Sequence, residues 1–129
     1  MTPEKLLELA EQARERSYSP YSGFCVGAAL LTKDGEVFMG CNIENASYSP
    51  TCCAERVALF SAVSAGKREF EAIAIVGAKR GEVADAPCYP CGVCRQVLSE
   101  FCGKDMKIYL SGDVSTTLGD LLPNAFDLL

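Results

Sequence analysis

Five of the chain's eight cysteines fall in two short clusters, Thr51-Cys52-Cys53-Ala54-Glu55-Arg56 and Pro87-Cys88-Tyr89-Pro90-Cys91-Gly92-Val93-Cys94-Arg95-Gln96. No histidine occurs anywhere in the sequence, which removes Ser/His and Cys/His nucleophile arrangements and every histidine-containing metal site. Each cluster opens a predicted helix, where the positive end of the helix favours the thiolate, the form of cysteine that binds metal. Two such helix starts facing each other could set three thiolates around one zinc and leave its fourth position to water, the arrangement of a catalytic rather than a structural site. From these residues alone three other readings stay open. A C-x-x-C pair can be redox-active. Cys88, Cys91 and Cys94 open an iron–sulfur pattern, although its next cysteine position holds Leu98. A structural zinc could also take Cys88, Cys91 and Cys94 together with Cys52 or Cys53.

Two charged residues sharpen the catalytic reading. Glu55 lies two residues after Cys53 in the first helical turn, where side chains still converge beyond the helix end, and a carboxylate there can carry protons for water activated by a metal. Its ordinary role would be a surface acid favoured by the helix dipole. Three thiolates overcompensate a divalent zinc, and Arg56, three residues after Cys53, is placed to withdraw charge; a surface ion pair is its ordinary alternative. Asn42 and Glu44 stand two apart at the end of a predicted strand, so both point to one side, where an amide and a carboxylate suit a sugar hydroxyl.

The elements that must position these groups are legible from periodicity. A helix is predicted over 3–16, with Thr2 as N-cap, Pro3 at its first position, and Leu6, Leu7, Leu9, Ala10 and Ala13 set against Glu8, Glu11, Arg14 and Glu15. The turn 18–23 breaks it. Strands over 26–32 and 37–42 flank an Asp34-Gly35 hairpin signal. A buried helix follows over 53–65 and is closed by Gly66, then a fully buried strand over 72–77. The loop 79–90 leads to a third helix with Val93, Val97, Leu98 and Phe101 on one side and Gly103 as its stop. A strand over 107–111 and a short helix over 117–122, ended by Pro123, complete the order. This alternation predicts an α/β fold in one domain, 1–129, with a mixed sheet and helices packed on its faces.

With 129 residues, 49% hydrophobic and 22% charged, the chain is in the range of a single domain able to bury its own core. A net charge of −5 argues against nucleic acid or an anionic membrane as principal partner. The first residues carry no basic segment leading into an apolar core, and no apolar run approaches the ~20 residues of a membrane span. The expectation is a soluble, cytoplasmic protein with reduced cysteines.

Cys53-Ala54-Glu55 followed by Pro90-Cys91-Gly92-Val93-Cys94 resembles the C/H-x-E and P-C-x-x-C signature of zinc-dependent nucleoside and nucleobase deaminases. The likeness extends through Tyr18 to Phe24, Gly40 to Ala46, Cys94-Arg95-Gln96-Val97 and Leu121 to Phe126, blocks similar in content and order to the small homotetrameric cytidine deaminases. P-C-x-x-C can be read from Pro87 or from Pro90. The family follows its first ligand with Gly and its second with Arg-Gln-Val, so the resemblance selects Cys53, Cys91 and Cys94 as zinc ligands and leaves Cys52 and Cys88 as spare thiols. Cys25, Cys41 and Cys102 receive no chemistry.

The resemblance implies a three-layer fold with a sheet of about five strands, one Zn2+ per subunit and Glu55 as proton shuttle to zinc-bound hydroxide. The implied reaction turns free cytidine and 2′-deoxycytidine into uridine and 2′-deoxyuridine in pyrimidine salvage. Arg56 is then the arginine that hydrogen-bonds the zinc cysteinates. Substrate contacts carried over are Phe24 against the pyrimidine, Asn42 and Glu44 at the ribose 3′-hydroxyl, Asn45 within the Asn42 to Tyr48 nucleoside-binding stretch, Ala54 as a further substrate contact, Ala46 and Tyr48 reaching a neighbouring subunit's site, and Phe126 closing over the base. The implied assembly is a homotetramer with sites completed by neighbours; the apolar end, Leu121 to Leu129, fits an interface and equally fits a cap on the chain's own core. Between Ser111 and Thr117 little room is left for the family's last strand, which is expected to be abbreviated.

Overall fold

The computed structural model describes residues 1–128. Helix α1 (Pro3–Arg14) is followed by strands β1 (Phe24–Thr32) and β2 (Val37–Cys41), helix α2 (Ala54–Ser64), strand β3 (Phe70–Lys79) and helix α3 (Gly92–Phe101). Strands β4 (Lys107–Leu110) and β5 (Val114–Thr117) then precede the one-turn helix α4 (Leu118–Leu121). The five strands form one sheet in the order β2-β1-β3-β4-β5. Only β3 and β4 pair in parallel; the other neighbours are antiparallel.

Three layers result. On one face, α1 buries Leu6, Ala10 and Ala13, spaced four and three apart, and packs its apolar stripe against Ala29, Leu31, Ala72, Ala74 and Val76. On the other, α2 and α3 cover Ala28, Leu30, Ile73, Ile75, Ile108 and Leu110 with Ala58, Leu59, Ala62 and Leu98. Successive residues of β1 therefore serve opposite cores, which is why that strand is apolar throughout instead of alternating. Small residues dominate the inner face of α2, where Ala54, Ala58 and Ala62 are fully buried.

The expected order of elements is present, with ends differing by a few residues. α1 stops at Arg14, and Cys53 and Cys91 are N-caps of α2 and α3 rather than residues within them. The last strand is indeed short. A tight turn at Gly112 and Asp113, both with positive φ (83° and 57°), lets four-residue β5 pair back onto β4 within the narrow interval left by the sequence. Leu129, at the end of the apolar tail, lies outside the described residues.

Candidate active site

The chain reaches α2 from β2 and α3 from β3, and these two entries bring the cysteine clusters together. Ile43 pairs with Tyr18 on one side and Cys52 on the other, tying the segment after β2 to both the turn after α1 and the start of α2. Buried Pro90 precedes Cys91, and Arg95 reaches back to hold that approach, donating from Nε to the Pro90 carbonyl (2.8 Å) and from Nη1 to the Leu121 carbonyl (3.0 Å).

The sulfur atoms of Cys53, Cys91 and Cys94 all lie within 4.8 Å of one another, with Cys53 to Cys91 at 3.8 Å and Cys91 to Cys94 at 3.5 Å. Zinc–thiolate bonds of about 2.3 Å in a tetrahedron put neighbouring sulfurs about 3.8 Å apart. Donor type and spacing thus fit zinc. All eight cysteines are free thiols in the chain, with no disulfide among the described residues.

The surroundings favour negative charge on this cluster. Hydrogen bonds from the Cys94 thiol, the Arg56 guanidinium and the Cys91 thiol bring Cys53 down to about 5 against the opposing effect of burial, while Cys94, which shares its proton with Cys53 and is fully buried, is pushed up. Binding of a divalent cation would displace the thiol protons of such a cluster. Arg56 Nη2 donates to Cys53 Sγ (3.4 Å) and the Thr51 carbonyl (3.5 Å), and its Nε is buried without a partner. Its own pKa rises through its bond to Cys53.

Glu55 sits beside the cluster in the first turn of α2 and is 4% exposed. Burial pushes its carboxyl up to about 7, so near neutrality both its forms are populated, as a group that must take and return protons requires. Cys88 stands apart from the three sulfurs. A Cβ on Gly77 would come within 2.6 Å of Cys88 Sγ and 3.3 Å of Phe24 Cε1, so the missing side chain is what lets these two groups approach each other over β3. Burial raises the Cys88 thiol to about 11, which keeps it protonated.

Asn42 and Glu44 do share a side, and both engage the turn after α1. Glu44 Oε1 accepts from the backbone N–H groups of Tyr21 (3.0 Å) and Ser22 (3.1 Å), and Oε2 accepts from the Ser22 hydroxyl. Ser22 Oγ in turn accepts from the Phe24 N–H (3.0 Å). Asn42 Oδ1 accepts from the Val26 N–H (2.9 Å) and the Ser17 hydroxyl, and Nδ2 donates to the Phe24 carbonyl (2.8 Å). Phe24 is therefore held at its carbonyl by Asn42 and at its N–H by Ser22, the residue that also bonds Glu44. Ser17, Ser19, Ser22 and Arg80, which complete this network, were not singled out by sequence. Ser22, two residues before Phe24, carries a local turn signal. The contacts of Arg80 span more than sixty positions and carry none.

Ala54 is buried at the first position of α2, beside the cluster. Asn45, Ala46 and Tyr48 are exposed on the segment before it, with Tyr48 edge-on to Tyr21. Phe126 is not brought to these residues. It borders a small cleft with Ser99, Cys102, Leu118 and Leu122, at the opposite end of α3 from Cys91.

Residues 1–110 match the family model for the cytidine and deoxycytidylate deaminase zinc-binding region. The chain is 52% identical to the cytidine deaminase of Sporosarcina psychrophila, across 98% of this chain and 92% of that one. It is also 52% identical to the cytidine deaminase of Halalkalibacterium halodurans, across 98% and 95%. In three dimensions it is similar to the crystal structure of cytidine deaminase from Burkholderia pseudomallei, with a TM-score of 0.89, 54% identity, and coverage of 98% of this chain and 100% of that one.

Proposed function

Since the chain belongs to the zinc-binding cytidine and deoxycytidylate deaminase family, we propose that it hydrolyses cytidine and 2′-deoxycytidine at C4, adding water and releasing ammonia to leave uridine and 2′-deoxyuridine. The observation that carries this reading is the group of three thiols with a buried carboxyl beside it. Cys53, Cys91 and Cys94 would hold zinc, which would supply a Lewis acid able to make water acidic enough to ionise near neutral pH.

Glu55 handles the protons. Its carboxylate takes one from the attacking water and passes it to ring N3 as C4 becomes tetrahedral; the same carboxyl then relays the proton that the departing amine needs. Arg56, bonded to Cys53, offsets the charge of three thiolates. Asn42 has used both acceptor positions and one of its two Nδ2–H donors, and Glu44 retains an acceptor position on Oε2. One spare donor and one spare acceptor, on two residues that both engage the turn after α1, match a single hydroxyl that both accepts and donates, the chemistry of the ribose 3′-hydroxyl. Phe24, fixed at its N–H and carbonyl, offers a ring against the pyrimidine, and Asn45 and Ala54 border the same region.

The exposure of Tyr48 (73%) and Phe126 (68%) supports a homotetramer in which Ala46, Tyr48 and Phe126 complete neighbouring sites. Among the described residues no helix is long and apolar enough to cross a membrane, and eight free thiols suit the reducing cytoplasm. The whole chain is read as one domain, its two cores sharing one sheet.

A single sample tests the reading. The expected result is loss of the cytidine and deoxycytidine absorbance bands, much slower conversion of free cytosine, and one zinc per chain. A chain that binds zinc tightly yet leaves both nucleosides unchanged would make the metal structural and overturn the proposal.

A further inference from the structure

We propose that Arg80 is a positioning residue for the sugar hydroxyl, acting on Asn42 through the hydrogen-bonded pair Ser19 and Ser17. This deepens the reading just given and rests on it for the role of Asn42. Arg80 lies just past β3, outside the thiol cluster, and grips both ends of the turn after α1. Its backbone N–H donates to the Gly23 carbonyl (2.8 Å), and its Nη2 donates to the Ser17 carbonyl (3.0 Å) and to Ser19 Oγ (3.1 Å).

The Ser17 hydroxyl has one proton and two acceptors within reach, Asn42 Oδ1, which can only accept, and Ser19 Oγ (3.1 Å). The Arg80 guanidinium, a cationic donor on Ser19 Oγ, fills that competing acceptor and leaves the Ser17 proton to Asn42. Without Arg80, Ser19 can turn its proton to Cys25 Sγ, 3.3 Å away, freeing Ser17 to donate to Ser19 instead of Asn42. Ser17 and Ser19 are buried, so water does not readily replace the missing donor. The unengaged Nδ2–H of Asn42 is aimed by the bonds at its oxygen, and loosening those bonds loosens the aim.

The test compares cytidine with 3′-deoxycytidine, which lacks the hydroxyl in question. Arg80→Ala should lower kcat/KM for cytidine about fivefold, the effect of roughly one hydrogen bond, and change it less than about twofold for 3′-deoxycytidine. Arg80→Lys, which keeps a cationic donor, should recover most of the loss. In a Ser17→Ala background the Arg80→Ala effect should largely vanish, because the link is already cut. Equal losses on both substrates, additive effects with Ser17→Ala, or no loss would each overturn the proposal. An arm independent of turnover separates it from the deaminase reading: the Asn42 side-chain NH2 resonances, assigned by their loss in Asn42→Ala, should shift in 15N-labelled Arg80→Ala protein. Unmoved resonances overturn the positioning role whatever the enzyme's substrate, whereas a wild-type protein inert to cytidine overturns only the deaminase reading.

Discussion

In the proposed reaction Glu55 is the residue on which the chemistry turns, because among the described residues it combines a position in the first turn of α2, near-complete burial and a pKa brought up to about 7. Glu55→Gln preserves shape and removes the titratable proton. It is expected to keep one zinc per chain while turnover of cytidine falls by about 10²–10⁴-fold, the usual worth of a general acid–base group, with metal analysis and a deamination assay on the same protein as the check. The ligand set gives a second expectation. Cys94→Ala should release zinc, since it removes one of three converging sulfurs, whereas Cys88→Ala should retain it, since that thiol packs against Gly77 and Phe24 and stays protonated. The reverse pattern would show that the P-C-x-x-C motif had been read from the wrong proline. Glu55 and the cysteines were legible in the sequence because their work is local, done by spacing at two helix starts. Arg80 was not, because its meaning lies in contacts with Ser17 and Ser19, and no local pattern marks a partner so distant along the chain.

The turn between α1 and β1 is the element that fixes Asn42 and Glu44, the residues proposed to bind the sugar. Its Tyr18-Ser19-Pro20-Tyr21-Ser22-Gly23 composition identifies a turn, but only the folded chain assigns its hydrogen bonds to Asn42 and Glu44. The Ser22 hydroxyl, with the Ser22 and Tyr21 N–H groups, holds the Glu44 carboxyl below the ordinary glutamate value. A depressed folded-state pKa adds stability that is complete above the unfolded value and is lost as pH falls through the folded one. Wild-type Tm should therefore decline over that acid window, and Glu44→Gln should flatten this part of the profile while lying closer to wild type at low pH than at neutrality. A profile as steep in Glu44→Gln as in wild type would assign the acid sensitivity elsewhere. Strand β5 shows the other limit of legibility. Four residues of mixed polarity, Val114–Thr117, have no strong strand periodicity, and their pairing follows from the turn at Gly112 and Asp113 and from the side of β4 that β3 leaves unpaired.

Across the whole molecule, the spatial separation of Phe126 from the thiol cluster bears directly on assembly. α3 is ten residues long, about 15 Å, and Phe126 borders its far end while Cys91 caps its near end. A ring placed there is poorly situated to close over its own chain's site and is exposed to serve another's, as Ala46 and Tyr48 are also exposed. The homotetramer reading therefore has a test that does not depend on measuring size alone. Phe126→Ala and Glu55→Gln proteins should each be weakly active, and dissociating and reassembling them together should restore activity. In a mixed assembly, some subunits that keep Glu55 acquire a neighbour that keeps Phe126; with equal inputs and one donating neighbour per site, random mixing regenerates about a quarter of the sites. If Phe126 served its own chain, the mixture would do no better than the mean of its two parents. Recovery above that mean, at unchanged zinc content, would establish that the site is built from more than one copy of the chain.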